Sequence, residues 1–166
     1  MSRFVEAESA IRQLHARYID AVWRQDPEAY GDCWAEDAHW KIIGTEMRGR
    51  EAIVSLFVDV MQNFDRVIQF YHPPILEIDD TGGSGRTYVT EHNAFKDGRR
   101  AFTIGLYHER YRADADRWRF TWRFFDLFYM GPPDLSKPFL PIPEYGKPPW
   151  LPDPERAASP PASSIF

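Results

Sequence analysis

The chain has 166 residues, 43% hydrophobic and 16% aromatic, enough for one domain with a packed core and too apolar for a disordered chain. A formal net charge of −5 argues against nucleic-acid binding, which needs a basic face, and "RGRE" and "DGRR" are too short to supply one. The single cysteine, Cys33, excludes an intramolecular disulfide and a cysteine-rich zinc site. No apolar run is long enough to span a membrane, and the N-terminus lacks the apolar core of a signal peptide, so a cytoplasmic protein without membrane contact is expected. The 12 Phe, 8 Tyr and 6 Trp suit either an aromatic core or a cavity for apolar, ring-shaped ligands.

The first element, "VEAESAIRQLHARYIDAVWRQD", places Ile11, Leu14, Tyr18, Ala21 and Val22 on one helical stripe. Asp26-Pro27 then marks a new helix, with Asp as cap and Pro in its first turn. That helix, "PEAYGDCWAED", carries Cys33 as a buried thiol and gives way to a strand, "AHWKIIG". A third helix, "GREAIVSLFVDVMQNF", puts Ile53, Leu56, Phe57, Val60 and Met61 on one face. Strands follow. "DRVIQFYHPPILEID" is interrupted at Pro73 and Pro74, which lack the N–H a central strand needs. "RTYVTEHNAF" and "RAFTIGLYHERYRAD" are joined at Lys96-Asp97-Gly98, and "ADADRW" leads into a long aromatic strand, "RWRFTWRFFDLFYM". Three helices followed by a meander predict an α+β domain over residues 1–130, with a curved antiparallel sheet wrapped around the helices.

Residues 131–166 hold most of the 14 prolines and can form neither a helix nor a central strand. They also carry Phe139, Leu140, Ile142, Tyr145 and Trp150, which predicts that residues 131–152 wrap over the domain or a partner subunit, or cover a pocket mouth. Residues 156–166 are expected to be disordered. The aromatic last strand would leave an apolar face on a monomer, so a homodimer is expected.

The segments "AIRQLHARYIDAVWRQDPEAYGDCWAEDAHW", "MRGREAI" and "GLYHERYRADADRWRFTWR", with a strand histidine between them, resemble the SnoaL-like branch of the NTF2-like superfamily over roughly residues 5–130. The resemblance implies a cone, in which a bent sheet wraps a long helix around a deep apolar pocket. It also implies lyases or isomerases that use no cofactor, such as scytalone dehydratase, ketosteroid isomerase and a hexachlorocyclohexane dehydrochlorinase. Ligand-binding and structural members exist too, among them the small subunits of ring-hydroxylating dioxygenases.

The resemblance puts His72 where dehydratases and dehydrochlorinases place a pocket base. The aspartate that orients such a histidine corresponds to Trp23, and the aspartate base of ketosteroid isomerases falls near Ile42, so neither carboxylate is present. Tyr18 matches the tyrosine that stabilises an enolate oxygen in the isomerases. Glu91 and His92 face opposite sides of their strand, and alternation leaves open which of them faces the pocket and supplies a second acid–base group. Tyr107 and Arg123, with Trp23, Trp40 and Phe57, are the expected substrate contacts. No histidine pair shows metal-ligand spacing, and neither metal nor cofactor is expected. The expected activity is acid–base chemistry on a small apolar cyclic or polyketide-, steroid- or terpenoid-like molecule. The alternative is a ligand-binding or structural module, which an exposed His72, or a cone filled by Trp23 and phenylalanines, would favour.

Overall fold

The computed structural model describes residues 3–114, 117–147 and 149–157. Helix α1 (Arg3–Arg24) buries the whole predicted stripe, and also His15. Helix α2 (Pro27–Asp32) begins as expected: the Asp26 carboxylate accepts a hydrogen bond from the Ala29 N–H, and Pro27 follows it. It is shorter than its sequence suggests. Strand β1 (Trp34–Ile42) takes over at once, because its residues pair with the last strand and bury Trp34, Ala35, Ala38 and Trp40. Cys33 caps α2, and burial pushes its thiol up to about 12, which makes it a structural group and no nucleophile.

A short strand β2 (Thr45–Arg48), which the sequence reading lacks, pairs with β1 ahead of helix α3 (Arg50–Met61). The remaining strands are β3 (Phe64–Tyr71), β4 (Ile75–Ile78), β5 (Gly83–Phe95), β6 (Arg100–Asp114) and β7 (Arg117–Gly131). The prolines separate β3 from β4, and both pair with β5. The sheet order is β2-β1-β7-β6-β5-β3, antiparallel throughout except at β1–β7. The sheet does not close, and α1 packs on β3, β4 and β7. At the bulge between Ile104 and Gly105, a side chain at Gly105 would collide with the Phe125 ring at about 2.4 Å.

Pleat alternation assigns the two faces. Val89, Asn93, Thr103, Tyr107 and Phe125 point into the concavity. Tyr88, His92 and Phe102 lie on the outside, where His92 packs between Phe70 and Phe102.

After Gly131 the chain runs along the outer face. Leu140 N–H bonds to Phe128 O at 2.8 Å, the Phe139 ring meets Tyr129 at 5.0 Å, and Tyr145 meets His108 edge-on at 4.4 Å. Farther on, the buried Lys41 ammonium donates to Pro154 O at 2.5 Å. Among the described residues, none after Met130 lines the main cavity itself, and the tail reaches only an adjoining hollow at its rim, through Pro132 and Lys137. Of the segment expected to be disordered, 156–166, residues 158–166 lie outside the described residues, while the N–H groups of Arg156 and Ala157 bond to Asp153 O. Truncation after Met130 is therefore expected to cost about 2–4 kcal/mol of stability, from the loss of a few partly buried apolar side chains. Affinity for an uncharged cavity ligand should be preserved. A thermal melt and a titration with an uncharged dye check both, and loss of that binding at retained fold would contradict this placement of the tail.

Candidate functional site

The concave face of the sheet and helices α1, α2 and α3 enclose a cavity of about 620 Å³, the size of a site for a small organic ligand. Its aromatic walls include Tyr18, Tyr30, Trp40, Phe57, Tyr107 and Phe125. The Tyr30 ring is stacked on Phe57 at 3.9 Å, which fixes the α2–α3 side of the wall.

Four polar side chains from neighbouring strands line one side: Gln69, Glu91, Asn93 and Thr103. Register explains their meeting, since Gln69 lies opposite Glu91 across β3–β5 and Glu91 opposite Thr103 across β5–β6. The Gln69 amide donates to Glu91 Oε1 at 2.7 Å, and the Asn93 amide donates to Thr103 Oγ1 at 3.1 Å. Burial raises the pKa of the Glu91 carboxyl above its ordinary value, against the opposing hydrogen bonds from Gln69 and Asn93 and the Arg123 charge. Glu91 is thus a carboxyl in an aromatic cavity, held in orientation by neighbouring amides, Gln69 foremost.

Facing into the same cavity are three phenols. The Tyr18 and Tyr30 hydroxyls are 3.4 Å apart. Burial raises the Tyr18 pKa, while the Arg123 charge and hydrogen bonds with Tyr30 and Tyr107 work the other way. Burial likewise pushes Tyr30 and Tyr107 well up, so all three are neutral donors. Behind them lies Arg123, 0% exposed, its guanidinium 3.6 Å from the Tyr107 ring centre and 4.4 Å from that of Tyr18. Its Nη2 donates to the Tyr71 hydroxyl at 3.1 Å and lies 2.8 Å from Glu109 Oε1.

Glu109, also 0% exposed, ties this cation into α1. Its Oε2 accepts from Tyr111 at 2.6 Å and Thr87 at 2.7 Å, and lies 3.3 Å from His15 Nε2. Burial works to raise the Glu109 pKa, but the charges of His15 and Arg123 and the hydrogen bonds from His15 and Tyr111 outweigh it and hold the carboxyl at about 2. The network fixes the Arg123 guanidinium, paired with the ionised Glu109, beneath the phenols, and phenols so held are suited to donate to a bound oxygen.

Of the expected site residues, Tyr18, Glu91, Trp40, Phe57 and Tyr107 come together around the cavity. Four do not line it. His72 is exposed: it follows Tyr71, whose side chain turns inward, and its N–H bonds to Tyr88 O, so its own side chain falls on the other side of the pleat. His92 is exposed on the outer face. Trp23, 51% exposed, lies one residue beyond the buried Ala21–Val22 edge of α1. Arg123 is sealed behind the tyrosines, outside the cavity lining.

The sequence reading missed Tyr30, Gln69, Asn93 and Thr103. Asn93 was within reach, since it stands two residues from Glu91 on the same side of β5. It also missed the His15–Glu109–Arg123 network, whose members come from three distant segments. Among the described residues, no group of three or more His, Cys, Asp and Glu side chains could hold a metal ion, and no helix is long and apolar enough to cross a membrane.

Solved structures share this architecture. A candidate scytalone dehydratase of Novosphingobium aromaticivorans DSM 12444 superimposes with a TM-score of 0.72 at 17% identity, over 76% of this chain and 87% of that one. A candidate aromatic ring hydroxylase from Novosphingobium aromaticivorans gives 0.72 at 26% identity, over 80% and 98%. The hexachlorocyclohexane dehydrochlorinase LinA-type3 of Novosphingobium barchaimii LL02 gives 0.71 at 18% identity, over 83% and 97%. No curated protein matches the sequence significantly. Residues 3–123, well over half the chain, match the SnoaL-like domain family. The fold is the NTF2-like cone, and the chain belongs to the SnoaL-like domain family.

Proposed function

We propose that the protein is a lyase or isomerase that needs no cofactor and acts by acid–base chemistry on a small apolar cyclic molecule carrying a carbonyl or hydroxyl group. The observation that carries this reading is the placement of Glu91, a cavity-facing carboxyl with a raised pKa, in one aromatic chamber with the Tyr18, Tyr30 and Tyr107 phenols. In this scheme Glu91 removes a proton from the carbon next to the carbonyl. The electron pair moves onto the carbonyl oxygen, and the phenols, backed by Arg123, take up its charge. The proton returns from Glu91 to another carbon in an isomerisation. In an elimination, the electron pair instead expels a leaving group. Two of the fold's neighbours bear the names of a dehydratase and a dehydrochlorinase, which agrees with elimination.

The scheme replaces His72 with Glu91 as the base. An exposed His72 favours the second reading, a ligand-binding or structural module. Against it, the cone is not filled: Trp23 lies outside, and about 620 Å³ stays open around Glu91.

Deuterium incorporation separates the two. A panel of cyclic ketones and enones is incubated with the protein in deuterated water and followed by mass spectrometry. Exchange next to the carbonyl is expected with the wild type, and a loss of roughly 10²–10³-fold is expected for Tyr18→Phe. Ligands that bind, by native mass spectrometry, yet show neither exchange nor elimination would decide for the binding module.

A further inference from the structure

The mouth of the cavity carries a charge pattern that an uncharged substrate would not use. The β5–β6 hairpin brings Lys96, Asp97 and Arg99 to the cavity lining. A second hollow of about 260 Å³ adjoins the first, sharing Phe95, Arg99 and Met130 with it. That hollow is lined further by Arg100 and by Lys137 from the tail. Four cations thus meet one carboxylate at the mouth, in a chain whose formal net charge is −5.

The single carboxylate is already engaged. Asp97 accepts from Arg99 Nε at 2.8 Å, and the Arg99 guanidinium lies over the Phe95 ring at 4.6 Å. Arg100 Nη1 donates to the carbonyls of Phe95, Gly98 and Arg99, which fixes the hairpin without cancelling the charge. Lys96 and Lys137 are exposed, and neither has a carboxylate within salt-bridge distance among the described residues. The other acidic group of the lining, Glu91, sits inside, bonded to the Gln69 amide.

From this arrangement we infer that the ligand is an amphipathic anion: an apolar ring body held in the cone, with an oxyanion group such as a carboxylate seated among Lys96, Arg99, Arg100 and Lys137. The aromatic walls take the rings, and the unpaired ammonium groups and low-dielectric walls focus positive potential where the anionic end emerges. This inference rests on the reading of the cone as a ligand cavity and names the class of molecule that enters it.

Two dyes with the same ring system make the test. 1-Anilinonaphthalene-8-sulfonate carries an anionic group, and N-phenyl-1-naphthylamine lacks it. The full chain is titrated with each, alone and in mutual displacement, at low and high salt. Both dyes are expected to bind one site, the sulfonate tighter at low salt. The doubly reversed variant Lys96→Glu/Lys137→Glu, whose two sites are exposed, should weaken the sulfonate roughly tenfold or more and leave the neutral dye within about twofold. High salt should narrow the gap between the dyes. Equal weakening of both dyes, or no weakening of the sulfonate in a variant that melts like the wild type, would overturn the anionic mouth while the cavity reading stands. If neither dye binds, both the inference and the cavity reading fall.

Discussion

Glu109→Gln is expected to destabilise the protein by about 3–5 kcal/mol, as measured by denaturant unfolding at pH 7. The Glu109 carboxylate has no exposed surface, and it faces Arg123 at 2.8 Å and His15 at 3.3 Å. An amide keeps its size and some of its hydrogen bonds but leaves the Arg123 cation buried among aromatic rings with no counter-charge. The pH dependence has a defined sign. Glu109 titrates at about 2 in the fold and near 4.3 in an unfolded chain, so the native state holds fewer protons between those values. Its stabilisation is therefore complete above pH 4.3 or so and is lost as pH falls towards 2. The variant should lack that acid-side slope, and its stability should lie closest to wild type at the acid end. The double variant Glu109→Gln/Arg123→Met should recover much of the loss, because it removes both charges together. A single variant as stable as wild type would show that the pair contributes nothing.

That network marks the boundary of what local patterning reveals. The helical stripe of α1 was legible because helix period and burial coincide: Ile11, Leu14, Tyr18, Ala21 and Val22 are all buried. The start of α2 was legible in Asp26-Pro27, where a capping carboxylate precedes a residue with fixed φ. His72 failed for a different reason. In a strand, one position of offset reverses the face, and here Tyr71 turns inward while its neighbour points to solvent. Glu91 against His92 was undecidable by alternation, since the two faces of β5 carry comparable residues. Pairing with β3 and β6, which sets Glu91 beside Gln69 and Thr103, decides it. The Arg123 role was displaced by depth alone: its strand side points inward as expected, but Tyr18 and Tyr107 stand between it and the cavity.

Glu91→Gln is expected to lower proton-transfer turnover by about 10²–10⁴-fold with the fold intact. Glutamine matches the shape of the carboxyl, and its oxygen can still accept from the Gln69 amide that now bonds Glu91 Oε1 at 2.7 Å. The variant loses only the ability to take up and release a proton. Its stability at neutral pH should be equal to or above that of wild type. Burial raises the Glu91 pKa, so ionising it costs the folded state free energy as pH rises above its ordinary value of 4.5, and the amide escapes that cost. The same shift fixes the shape of the pH–rate profile. A base must be deprotonated to act, so kcat/KM of the wild type should climb with pH through a value above 4.5 and then level off. No fall is expected below pH 10, because Tyr18, Tyr30 and Tyr107 all titrate above their ordinary 10.0 and remain donors throughout. A histidine base in this place would instead put the rise near 6.5. Full turnover in Glu91→Gln would remove the carboxylate from the chemistry. Together with unchanged ligand affinity, it would leave the cone a binding site and Glu91 a polar contact within it.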